Sequence, residues 1–171
     1  MSDGQGEPVA GDVFRTVMSQ FPTFVTVITT SDEDGPVGCT ATAVLSLSLR
    51  PPSLLVSLHS DGRTVDRILG AGAFAVNVLS VAQWDWSRRF ATGEPGARFA
   101  GVPHTVVAGV PALTGAAATV GCALTQSIRV LDHTLLVGEV RWTATGTQEP
   151  LVLLGQRPHA AEPLAELLAV A

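Results

Sequence analysis

Apolar and polar positions alternate with a period of two along much of this chain, the mark of half-buried strands rather than helices. The run "FVTVITT" (24–30) alternates and is β-branched, and "SDEDGP" (31–36) reads as a hairpin turn. "VGCTATAV" and "SLLVSLH" predict further strands, separated by the rigid corner Arg50-Pro51-Pro52. Ahead of them Val13, Val17 and Phe21 recur at helical spacing, so a short helix is expected over 13–20, behind a loose tail at 1–11. After the Asp61-Gly62 turn, "RTVDRILGAG" places Val65, Ile68 and Leu69 on one face of a helix that ends at Gly70. "FAVNVLS" (74–80) is another strand and "QWDWSRRFA" a helix, while 98–115 is rich in Gly, Pro and Val and has no clear boundaries. Two long strands, 117–130 and 133–145, form a hairpin around Leu131-Asp132; "PLVLLG" gives a last strand, and 161–171 a short terminal helix or tail.

Six or seven strands that mostly follow one another directly, with two or three short helices, do not make a repeating βαβ sheet. The pattern predicts a mainly β protein, a small antiparallel barrel with peripheral helices, formed by one domain over 12–160.

Composition narrows the function. At 171 residues, 46% of them hydrophobic and 15% charged, the chain is globular and lies at the apolar end of that class. So little charge implies surface buried in a partner, and a homo-oligomer is expected. No apolar run approaches a bilayer span, and the acidic opening "MSDGQGEPVAGD" has no signal-peptide pattern. Net charge is −5, and all ten basic residues are scattered arginines, which argues against a nucleic-acid surface. Cys39 and Cys122 each lie in a strand-like run and read as buried small hydrophobes in a reducing compartment, so the cytoplasm is the expected location. There is no G-x-G-x-x-G after the first strand, no Walker lysine, no Cys-x-x-Cys and no G-x-S-x-G elbow.

What remains is a series of hydroxyls. Thr40, Thr42, Ser46, Ser48 and Ser57 thread two strands, and Ser60, Arg63 and Thr64 sit in the turn "HSDGRT". Gly38, Ala41 and Ala43 leave room beside the hydroxyls of Thr40 and Thr42; taken alone, these read as β-favouring threonines on a solvated face. The turn can open a helix whose free amides, dipole, guanidinium and hydroxyl together suit a phosphate. The competing view makes Ser60 a simple N-cap and Arg63 a solvated charge. Asn77 interrupts an apolar strand and needs a partner, either a ligand or a neighbouring loop.

The ordered pieces "FPTFVTVITT", "GCTATAVLSLSLRPPSLLVSL", "FAVNVLS", "RRFA", "RFAG", "GVPAL" with "AAATVGC", and "DHTLLVGEV" resemble the flavin reductase family. These are the small reductases of two-component flavin-dependent monooxygenases, and the resemblance spans about residues 14–159. It implies a split β-barrel related to the FMN-binding barrels, a homodimer with flavin near its interface, and reduction of FAD or FMN by NADH or NADPH. It further implies that reduced flavin passes to a partner monooxygenase. On this resemblance Thr40, Ala41, Thr42, Ser46, Ser48, Ser57, Ser60, Arg63, Thr64 and Asn77 become flavin contacts, and Phe90 and Ala91 of "RRFA" line the ring edge. Arg88 or Arg89 would meet a pyrophosphate, or simply face solvent. The Asp132-His133 pair lies beside the flavin, where His133 contacts the nicotinamide. Arg50 departs from the family, which commonly has an acidic residue there, and the bulky Trp84-Asp85-Trp86 is also unusual. The resemblance leans to FAD with NADH, since many reductases of this type serve FADH2-dependent oxygenases, and the lack of an arginine cluster for a 2′-phosphate favours NADH. A non-catalytic flavin- or haem-binding barrel is the alternative function; an oxidase of the pyridoxine phosphate type would want a more basic pocket than a Lys-free chain offers.

Overall fold

A computed structural model describes residues 7–162. In chain order the elements are α1 (Gly11–Met18), β1 (Thr23–Phe24), β2 (Thr26–Asp32), β3 (Gly35–Ala41), β4 (Val44–Leu49), β5 (Pro52–His59), α2 (Arg63–Ala71) and β6 (Ala73–Val78). Then come α3 (Trp84–Thr92), β7 (His104–Val107), β8 (Val110–Leu113), β9 (Ala118–Val130), β10 (His133–Thr145), β11 (Leu151–Leu154) and β12 (Arg157–Ala160). Strands dominate, as the alternation predicts, and every ladder is antiparallel.

The principal sheet has seven strands in the order β3-β2-β6-β9-β10-β5-β4. It curls so that its inward residues form one core: Ile28, Leu54, Val56, Leu58, Phe74, Val76, Cys122 and Leu136 pack together, with Val65 and Ile68 of α2 plugging one end. No ladder joins β3 to β5 among the described residues; the seam is spanned by the Thr42-Ala43 link, whose Ala43 carbonyl accepts from Ser57 N–H at 2.9 Å. This open seam is the split of the barrel.

A second core lies against the other face of β2. There Val25, Val27, Leu79 and Leu151 meet Phe90, Val102 and Leu113, while Trp86 and Phe99 pack at the margin. With apolar residues needed on both faces, β2 is buried throughout Thr26–Thr30, so its alternation carries threonines whose hydroxyls must be bonded. Thr26 donates to the Ala41 carbonyl at 2.6 Å, Thr29 to that of Pro111 at 2.5 Å and Thr30 to that of Ala73 at 2.7 Å.

Several boundaries differ from those expected. "VGCTATAV" is not one strand, because the chain breaks at Thr42-Ala43 to turn onto β4. The segment 98–115 holds a β7–β8 hairpin, and β12 pairs with β11 after "PLVLLG", which was expected to be the last strand. α1 starts at Gly11, two residues early, and α2 runs one residue past Gly70 to end on Gly72, whose φ of +68° suits a residue without a Cβ. The helix expected over 161–171 lies almost wholly outside the described residues, as does most of the expected tail at 1–11.

Candidate functional site

The open seam of the barrel widens into a cleft of about 560 Å³. One wall is the end of β3 and the link after it, Cys39 to Ala43; β5 supplies Ser57, Leu58 and His59; the turn and first residues of α2 supply Asp61 to Val65. His133, at the start of β10, closes one side, and Ala91, Pro95 and Arg98 close another.

The chain folds this way locally for identifiable reasons. α2 begins at Arg63 with Gly62 at its N-cap, and no side chain caps it. Its first amides therefore take no side-chain oxygen, although Val65 N–H donates to the Gly62 carbonyl at 2.9 Å, and the open end suits an anion. Ser60, the expected cap, is instead bonded through its hydroxyl to that of Thr134 at 2.9 Å, and its N–H donates to the Asp132 carbonyl at 2.8 Å. Ser60 thus ties the turn to β10 and holds His133 at the cleft, without lining it. β5 and β10 pair His59 directly with His133, and the two rings meet edge-on with centroids 5.6 Å apart.

Asp132 Oδ1 lies 2.8 Å from His133 Nδ1. The hydrogen bond from His133 holds the Asp132 carboxyl below the usual carboxylate range, outweighing the opposing effect of desolvation. Burial pushes the Cys39 thiol up, outweighing a bond to Thr64 and the nearby charge of Arg98. Burial likewise pushes Cys122 up to about 12, so both cysteines are thiols, not thiolates, at neutral pH.

Of the residues singled out from sequence, the structure brings together Thr40, Ala41, Thr42, Ser57, Arg63, Thr64, Ala91 and His133. Thr42 is exposed, whereas Thr40 donates its proton to the Ser87 carbonyl at 2.6 Å and so anchors α3. Ser46 and Ser48 are elsewhere, beside an apolar groove at the β4 edge. Asn77 is fully buried away from the cleft. Its amide donates to the Val27 carbonyl and to Thr29 Oγ1, both at 3.0 Å, and its oxygen accepts from Leu113 N–H at 2.8 Å. Asn77 is therefore satisfied by the protein itself, though by strands β2 and β8 rather than by a loop. Phe90 is also fully buried, packed edge-to-face on Phe99 in the second core. Gly38 serves Phe90 rather than a ligand, since a Cβ there would stand 3.2 Å from that ring and 2.9 Å from the Ile28 carbonyl.

Arg89 donates to the Ala97 carbonyl at 2.8 Å and also to that of Ala100, bracing the loop after α3 rather than facing the cleft. Trp84 is exposed and Trp86 packs on the second core; neither lines the cleft. Sequence reading missed Cys39, His59, Asp61 and Arg98 on the cleft walls, whereas Ala43 was expected there. His59 had a legible signal, its place at a strand end beside "SDGRT"; Arg98 had none, because it arrives from a segment without clear periodicity.

A split antiparallel barrel with a hydroxyl-rich cleft at its seam, and a helix start without a side-chain cap inside it, has the chemistry to take a phosphorylated ligand. The chain matches the flavin reductase like domain over residues 18–162, and it belongs to that family. It is 34% identical to a flavin reductase (NADH) of Kitasatospora aureofaciens, over 91% of this chain and 78% of that protein. It is 38% identical to a flavin reductase (NADPH) of Lentzea aerocolonigenes, over 92% and 94%. An NADH:FAD oxidoreductase of Streptomyces globisporus, solved in complex with NAD and FAD fragments, superposes with a TM-score of 0.83 at 32% identity, covering 92% of this chain and 98% of that one. The chain is an NAD(P)H:flavin oxidoreductase.

Proposed function

We propose that this protein uses NADH to reduce FAD, with FMN as a second acceptor, and hands the reduced flavin to a partner monooxygenase. The observation that carries this reading is the convergence of Thr42, Ser57, the uncapped start of α2 and His133 on one cleft, although they are up to about ninety residues apart in the chain. Reductase subunits of flavin-dependent monooxygenases among the relatives support the partner, with 39% identity to one from Rhodococcus jostii.

A bound flavin supplies a ring that takes a hydride at N5 from nicotinamide C4; the protein's own contribution is placement. Arg63 and the first-turn amides of α2 hold the flavin phosphate. Ala41, Thr42 and Ala43 bound the ring without bulk, and Ser57 offers a hydroxyl beside them. His133 contacts the nicotinamide. With Nδ1 engaged by Asp132, its Nε2 is the atom left to face the cleft. No general base is required, because hydride transfer leaves no proton to remove.

The same reading makes the protein a homodimer acting in the cytoplasm. No helix among the described residues is long and apolar enough to cross a membrane. Purified protein mixed with NADH and free FAD or FMN should consume the nicotinamide absorbance rapidly and without holding flavin through a desalting column. A tightly retained coloured cofactor with no turnover would instead identify a carrier, and faster turnover with NADPH would reverse the nucleotide preference.

A further inference from the structure

His59 and His133 are cross-strand partners on β5 and β10, so their side chains leave the same face of the sheet at adjacent positions. The rings meet edge-on, with centroids 5.6 Å apart and planes inclined at 64°, and both line the cleft. The ladder between β4 and β5 ends at Val56, which leaves β10 as the strand beside His59.

Each ring also has one nitrogen engaged. Asp61 N–H donates to His59 Nδ1 at 3.4 Å, so that nitrogen is an acceptor and the ring proton sits on Nε2. On His133 the assignment is reversed: Nδ1 faces Asp132 Oδ1 at 2.8 Å and donates to it, which leaves Nε2 as the acceptor. One hydrogen bond does not orient an imidazole, however. The torsion about the Cβ–Cγ bond of histidine is broad. The His133 side chain is 44% exposed, and that of Asp132 is 71% exposed, so the carboxylate can follow Nδ1 as the ring turns. Such a turn carries Nε2 away from the cleft. The His59 ring stands in its way on the β5 side, and an edge-on aromatic pair has a preferred inclination that an exposed carboxylate does not impose. The link between the two histidines is this ring contact and not an ion pair, since the nearest acid to His59 in the chain, Asp61, is met by Arg129 of β9 at 3.9 Å.

We propose that His59 is a positioning residue for His133, its ring fixing the plane of that imidazole so that Nε2 stays directed into the cleft. The proposal rests on the nicotinamide role given to His133 above and adds the group that aims it. It also gives a reason for an aromatic side chain at the exposed end of β5, where the turn into α2 needs none.

The protein without ligands gives the first readout. Long-range proton–nitrogen NMR spectra in mildly alkaline solution should show one tautomer at His133, protonated on Nδ1. His59→Phe keeps a ring at the position and should keep that signature, whereas His59→Ala should replace it with a mixture of tautomers. Steady-state kinetics give the second readout. His59→Ala should raise the NADH KM about three- to tenfold, the scale of one aromatic pair, with kcat changed less than about twofold. His59→Phe should bring KM back to within about twofold of the parent. His59→Gln, polar but without a ring, should match His59→Ala and decides the matter should that variant fail to fold. In a His133→Ala background, His59→Ala should add nothing further to KM. An equal rise in that background would make His59 an independent contact and overturn the proposal, as would an unchanged His133 tautomer in folded His59→Ala. If His133→Ala alone leaves KM unchanged, the nicotinamide reading of His133 falls instead, and the spectra alone then decide whether His59 orients the ring.

Discussion

At the scale of single residues, position in the fold separates similar side chains into different roles. Thr40 and Thr42 are two apart on the same run, yet one bonds the Ser87 carbonyl and the other is exposed in the cleft. His133 has the clearest functional geometry, with Asp132 on one nitrogen and the cleft before it. His133→Ala should raise the NADH KM about tenfold while leaving the flavin Kd within about threefold, the loss of one polar contact on the nicotinamide alone. Steady-state kinetics and a fluorescence titration separate the two, and an unchanged KM and kcat would remove His133 from the site. The same variant should move the Asp132 carboxyl back up toward its ordinary range, because the hydrogen bond that lowers it is gone. Carbon-detected NMR of the Asp132 side chain through an acid titration reads this directly.

At the scale of elements, the long β9–β10 hairpin is the frame on which the cleft is hung. Its register shifts between Val137 and Gly138, where Gly138 turns inward beneath the Phe74 ring. A Cβ at Gly138 would lie 2.6 Å from Phe74 Cζ and 2.7 Å from the Cys122 Cβ. Gly138→Ala should therefore cost at least about 1–3 kcal/mol through overpacking, and lower the melting temperature by several degrees. A melting curve unchanged from the parent would show that the barrel interior can yield there. Farther along, the Trp142 indole lies flat on Gly121, which leaves no room for a side chain. The strand boundaries of this hairpin were legible to within one residue, since both strands are long and their turn is short. The break at Thr42-Ala43 was not, because the residues remain β-formers while the path bends only to follow β5.

At the scale of the whole molecule, α1 stands out: it buries none of its own residues, while Val13, Phe14, Val17 and Met18 are all exposed. Nothing within the described chain covers that face, and the homodimer we propose would cover it. Sedimentation velocity of the purified protein should give a dimer, and Val13→Glu with Val17→Glu should shift it toward monomer if α1 lies in the interface. A monomer at micromolar concentration would remove the dimer from the proposal. The barrel, its helices and most of the cleft's hydroxyl wall could be read from the chain because periodicity and turn residues act over short stretches. Asn77 and Phe90 were ambiguous for the opposite reason: whether a strand amide or a helix phenyl meets a ligand or the core depends on what packs against it. By itself the sequence determined the alternating strands, the helix start after Gly62 and the family. Only tertiary structure decided which hydroxyls face the seam and that Arg98 arrives there, since each results from contacts between segments distant along the chain.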